Sequence, residues 1–297
     1  SLCMCKSQLQ TEQLKKKLTW WMIMLQDANA LRVMLTRAFE IRNEIRKAAS
    51  NSQGPNTDLM LAASQGCDLC TRELIKAGAE VNFANKDGCT ALMHAAQNGH
   101  DLCARALIAN GAVVNAQANN GFSALMLACH NGHEQCARAL IENGADLEKQ
   151  TKKGSTALIL ACQNGHEQCA RALIEKGATV DAQLPSGHTA LMIACQNGHD
   201  QCARALIEKG ALIEAGADVN KANAKGFVAL MHACQNGHEQ CARALIKAGA
   251  VVDAVNNEGV RALIKAAQNG HDLCARALIE KGATVDAQLP SGHTALM

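Results

Sequence analysis

Residues 162–178 read CQNGHEQCARALIEKGA, and close copies of this stretch recur along the chain, each with a His and a Cys three residues apart. The pairs are His100/Cys103, His133/Cys136, His166/Cys169, His199/Cys202, His238/Cys241 and His271/Cys274. One pair supplies at most two of the four ligands that a structural zinc takes, so neighbouring copies would have to pool theirs. Unpaired cysteine, by contrast, packs as a small buried hydrophobe. Seven residues before four of these cysteines stand Cys129, Cys162, Cys195 and Cys234, and two other copies have Ala96 and Ala267 in that place. Cysteine and alanine exchange there as packing volume allows, which favours a scaffold role and leaves no metal or cofactor expected. The lone C-x-x-C of the first copy, Cys67 and Cys70, is read the same way, because Cys67 stands where the other copies have their His.

Working outward, the residue before each "ALM" or "ALI" is Thr90, Ser123, Thr156, Thr189, Val228, Arg261 and Thr294, at steps of 33, 33, 33, 39, 33 and 33. A degenerate earlier copy begins at Thr57. Each unit predicts a polar loop, a short helix opened by a Thr or Ser cap, a Gly-His turn, a second helix and a closing Gly-Ala. Neither helix can bury its apolar face alone, so neighbouring units must stack. Val228 and Arg261 lack the capping hydroxyl, at a cost of about 1 kcal/mol each, and those two helix starts are expected to fray first. The 39-residue step arises where ALIEKG (205–210) is followed at once by ALIEAG (211–216). Continued as helix, it would place Ile213 on the face of Leu206; a bulged turn is the alternative, and a local bend is expected either way.

Residues 87–116, DGCTALMHAAQNGHDLCARALIANGAVVNA, resemble the ankyrin repeat family, and comparable matches run over about residues 52–297. The resemblance implies an all-α solenoid of stacked helix-turn-helix repeats with short β-hairpin loops, preceded by an N-terminal helical segment. It places units near 52–84, 85–117, 118–150, 151–183, 184–222 with the insertion, 223–255 and 256–288, then a truncated repeat at 289–297. It also implies that the repeated His belongs to the Gly-His turn. Two departures are systematic. The family's Pro becomes Ala at Ala91, Ala124, Ala157, Ala190, Ala229, Ala262 and Ala295, and its His becomes Met or Ile at Met93, Met126, Ile159, Met192, Met231, Ile264 and Met297.

The helices are nearly identical between units, whereas the loops before the caps differ. Those loops carry Lys86, Asp87 and Cys89; Asn119, Asn120 and Phe122; Lys152, Lys153 and Ser155; Pro185, Ser186 and His188; Ala224, Lys225 and Phe227; and Asn257, Glu258 and Val260. The resemblance implies that such hairpin tips contact a partner, with Phe122 and Phe227 as anchors because interface aromatics carry disproportionate binding energy. Drift of exposed loops is the competing account. The Gln-Asn pairs of the first helices barely vary and read as a solubilising strip on the concave face.

The chain holds 48% hydrophobic and 19% charged residues, enough apolar surface for a sizeable core. Residues 1–50 contain nine Lys/Arg against four Asp/Glu, and the rest 20 against 23, so the repeats offer no basic footprint for nucleic acid. Fifteen cysteines inside helical patterns, with no signal peptide before them, point to a reducing intracellular, cytoplasmic setting. The apolar run WWMIML (20–25) is far below the roughly 18 residues of a membrane span. Residues 1–50 read as a basic amphipathic helical segment that caps the first unit, forms a coiled coil or touches a membrane. The chain stops four residues into another first helix, so a fragment of a longer array is expected.

With no Gly-rich phosphate loop, and with histidines that repeat with the scaffold, nothing resembles a catalytic constellation. The reading is a non-catalytic interaction scaffold that binds a protein partner through its tips and concave face. The alternative is a regulatory arm of a larger enzyme, for example a kinase, whose catalytic domain lies outside this chain.

Overall fold

The computed structural model describes residues 55–208, 216–288 and 294. Contacts divide the chain into two units, 1–53 and 54–297. The helical segment expected over residues 1–50 lies outside the described residues, as does most of the truncated repeat after residue 288.

The described residues form helix pairs: α1 (Pro55–Gln65) with α2 (Asp68–Lys76), α3 (Ala91–Asn98) with α4 (Asp101–Ala109), α5 (Ala124–Asn131) with α6 (Glu134–Glu142), and α7 (Ala157–Gln163) with α8 (Glu167–Glu175). Three more follow: α9 (Ala190–Asn197) with α10 (Asp200–Ile207), α11 (Ala229–Gln235) with α12 (Glu239–Lys247), and α13 (Ala262–Gln268) with α14 (Asp272–Glu280). First helices pack on first helices, and second helices on second helices, of the neighbouring pairs. The result is the all-α stacked-repeat solenoid expected from the period. Its loops are tight hairpins closed by isolated antiparallel bridges at Ala84/Thr90, Gln117/Ser123 and Gln183/Thr189.

Local chemistry sets the helix starts. Thr90, Ser123, Thr156 and Thr189 lie in extended backbone, and their hydroxyls accept from the N–H three residues on, as in Ser123 Oγ to Met126 N at 3.3 Å. Val228 and Arg261 adopt the same backbone without a side-chain bond. In the first unit the helix begins at Pro55, two residues ahead of Thr57. Proline explains this: its fixed φ suits the first helical turn, where its missing N–H is no loss.

The core is a continuous strip of Leu, Ala, Met and Cys. Met93, Met126, Ile159 and Met192 are each 1% exposed, so apolar packing fills the place of the family's polar His. Side chains then clasp one unit to the next. Asn115 Oδ1 accepts from Asp146 N at 2.8 Å while its Nδ2 donates to Gly144 O at 3.0 Å, and Asn82 and Asn220 repeat this arrangement. On the second helices, Arg138 joins Glu134 of its own helix at 2.8 Å and Glu175 of the next unit at 3.4 Å. Arg171 and Arg243 do the same.

The insertion does not extend a helix. α10 ends at Ile207, and Glu208 turns to extended backbone at ψ 126°. The bond that closes the neighbouring second helices, such as Ala178 N to Leu173 O at 3.0 Å, is made here by Ala217 N to Leu206 O at 2.9 Å. The residues between 208 and 216 lie outside the described residues. Contacts across the insertion keep their pattern elsewhere: Asp218 N donates to Asp181 at 3.1 Å, and Ala224 N to Ser186 O at 3.3 Å. The local bend expected at the insertion falls on residues outside the described ones.

Candidate functional site

The repeated His and Cys resolve into two structural devices. His100, His133, His166, His199, His238 and His271 each place Nε2 at 3.0–3.2 Å from a main-chain carbonyl of the preceding unit, such as Gln97 O for His133. A carbonyl only accepts, so each ring carries its proton on Nε2 and is committed to stacking. The cysteines pair across units: Cys129 bonds to Cys169, Cys162 to Cys202, Cys195 to Cys241 and Cys234 to Cys274. All eight are buried. Their mutual hydrogen bonds, then burial, raise the Cys129, Cys162 and Cys195 thiols well above the ordinary range, and burial pushes Cys136 up to about 12. Thiols held protonated in this way are poor nucleophiles and poor metal ligands.

Cys67 and Cys70 differ from the reduced filler expected of them. Their sulphurs are joined in a disulfide, and Cys67 Sγ also accepts from Cys70 N at 3.3 Å as the N-cap of α2. Among the described residues no group of three or more His, Cys, Asp or Glu is arranged to hold a metal ion. No described helix is long and apolar enough to cross a membrane.

The candidate contact residues fall into two rows. Lys86, Asp87, Asn119, Asn120, Lys152, Lys153, Pro185, Ser186, Ala224, Lys225, Asn257 and Glu258 are exposed and form the outer row. Main-chain bonds stitch neighbouring tips together: Asn119 N to Asp87 O at 2.8 Å, Lys152 N to Asn120 O at 3.1 Å, and Asn257 N to Lys225 O at 3.1 Å. Pro185 has no N–H to offer Lys153, so the seam is interrupted there. Beneath lies a second row: Cys89, Phe122, Ser155, His188 and Phe227 are half-buried, and Val260 is buried at 8% exposure and offers a partner little surface. Phe122 and Phe227 pack against the core as well, so both anchors also serve the fold.

This second row touches side chains that sequence reading passed over. The inner-helix residue immediately after the buried Met or Ile is His94, Leu127, Leu160, Ile193, His232 and Lys265 in successive units. It is the only inner-helix position whose chemistry changes freely, a signal visible in the helices once they are aligned. The position lies under the tips. The His232 ring sits 5.2 Å from that of His188 and 5.4 Å from that of Phe227, and Lys265 Nζ lies 5.7 Å above the Phe227 ring. His188 is held by Ser186 Oγ at 2.9 Å and Asn223 Nδ2 at 3.1 Å. Burial, then the neighbouring His188, lowers His232 to about 4, and its Nε2 is buried without a hydrogen-bond partner. Burial, then Lys225, lowers His188 as well.

The nearly constant Gln-Asn strip has a structural use. Asn98, Asn131, Asn164 and Asn269 each donate from Nδ2 to the carbonyl four residues back, closing the helix ends. Asn197 and Asn236 reach the preceding unit's Gln163 and Gln196 carbonyls instead.

With this geometry in hand, the chain was compared with known proteins. The family model described as "Ankyrin repeats (3 copies)" matches residues 59–151, 146–215 and 210–289. The structure is similar to the crystal structure of the human ASB11 ankyrin repeat domain, with a TM-score of 0.63 and 28% sequence identity, covering 76% of this chain and 98% of that one. A search of curated proteins finds no match.

Proposed function

Because the chain belongs to the ankyrin repeat family, whose members are generally protein-protein interaction modules, we propose that it is a non-catalytic scaffold that binds a protein partner along its hairpin tips and the concave face behind them. One observation carries this reading. The stacking parts repeat almost without change, while the residues that vary in chemistry along the tips and inner helices meet on a single surface, as His188, Phe227, His232 and Lys265 do. Loops braced by a rigid frame are where binding residues concentrate.

Affinity capture tests it directly. Partner recovery should fall sharply with Lys152→Ala/Lys153→Ala and with Phe227→Ala, each shown to be folded by circular dichroism. Leu102→Ala, at a 58% exposed position on the second-helix face, should leave recovery unchanged. Equal recovery from all four proteins would remove the tips from the binding surface.

A further inference from the structure

The second helices pair their arginines, and the tips present a cluster of lysines. On the second helices, arginines find acids: Arg105, Arg138, Arg171 and Arg243 each pair with a glutamate of the next unit. On the tips the exposed Lys86, Lys152, Lys153 and Lys225 make no ion pair among the described residues. In the three successive tips formed by residues 152–153, 185–186 and 224–225, three lysines face solvent and no acid accompanies them. Behind the last of these tips, Lys265 lies over Phe227, and the buried Nε2 of His232 lacks a partner. Burial and Lys225 lower His188, and burial and His188 lower His232, with no carboxylate among the causes.

We propose that this ridge receives an acidic protein segment, its carboxylates held by Lys152, Lys153, Lys225 and Lys265 and its apolar side chains set against the exposed edges of His188 and Phe227. The inference rests on the docking surface proposed above and adds the chemistry of the partner. Charge complementarity is its basis. Unpaired cations on a rigid rim attract an oppositely charged segment and orient it on approach, while an aromatic edge beside them supplies area at low entropic cost. Lys152 N bonds to Asn120 O and Ala224 N to Ser186 O, so the tips that carry Lys152, Lys153 and Lys225 are each braced by a neighbouring tip before any partner arrives.

The test is selection of a random displayed-peptide library on the purified chain. It is run beside the charge-reversal variant Lys152→Glu/Lys153→Glu/Lys225→Glu and a control reversal at exposed second-helix ends, Lys176→Glu/Lys247→Glu/Lys281→Glu. Peptides enriched by the native chain and by the control should be rich in Asp and Glu, and the best should bind the tip variant about tenfold more weakly. Peptides that bind at the tips without acidic bias would overturn the inference and leave the docking surface standing. Acidic bias retained in the tip variant would overturn it too. If no peptide is enriched, the docking surface itself fails and takes the inference with it. Salt-sensitive binding of a single-stranded oligonucleotide at the same lysines, without acidic peptides, would assign the ridge to nucleic acid instead.

Discussion

Gly99 has φ 77°, and a Cβ built on it would stand 2.5 Å from Nδ1 of His133, the ring that bonds to Gln97 O. Gly144 has φ 79° but nothing within 4 Å. Gly144→Ala should therefore cost only the backbone strain, about 1 kcal/mol, whereas Gly99→Ala must also displace the His clasp and should cost about 2–3 kcal/mol. Urea unfolding midpoints compare the two; equal losses would mean that the clasp bears no load. His232 gives a pH signature. Its folded value of about 4 lies below the ordinary 6.5, so its contribution is full above pH 6.5 and is lost as pH falls toward 4, up to about 3 kcal/mol. His232→Leu, the residue type that Leu127 and Leu160 supply in the same place, should flatten the acid branch of stability against pH. An unchanged acid branch would place the sensitivity elsewhere. The turn role of the repeated His was legible in the sequence through the family resemblance, but its carbonyl partner a unit away was not. Nothing local in GH specifies an acceptor 36 residues back.

Among the elements, α11 and α13 carry the test of capping. Both start without a side-chain cap, and Val228 and Arg261 keep the extended backbone that a threonine would need. Val228→Thr and Arg261→Thr should each add about 1 kcal/mol, and amide exchange at the first turns of α11 and α13 should be faster than at α5 or α9 in the native chain. Uniform protection across the first helices would contradict this. Helix existence and order were legible because apolar spacing and Gly turns repeat at 33 residues. The start of α1 was not, since the repeat pattern points to Thr57 and Pro55 serves as a first-turn residue ahead of it. The insertion was ambiguous for a similar reason. Six residues place Ile213 on the face of Leu206, so the pattern permits a longer helix, and only the Ala217 to Leu206 bond and the extended backbone at Glu208 show that α10 stops at Ile207.

At the scale of the whole molecule, one unit is a poor guide to what the stack does. The half-buried position of Phe122 and Phe227, and the burial of Val260, depend on contacts between tips and inner helices that a linear reading cannot rank. The inner position running from His94 to Lys265 was passed over because the helices look uniform until they are laid side by side. What emerges is a frame stapled by His, Asn and Arg clasps, with its varied side chains and a cluster of tip lysines gathered on one surface. Lysine acetylation footprinting of the captured complex against the free chain tests that division most directly. The account predicts protection of Lys152, Lys153 and Lys225 with unchanged reactivity at Lys176, Lys247 and Lys281, all exposed in the free chain. Protection of the second set with the tips still reactive would contradict it.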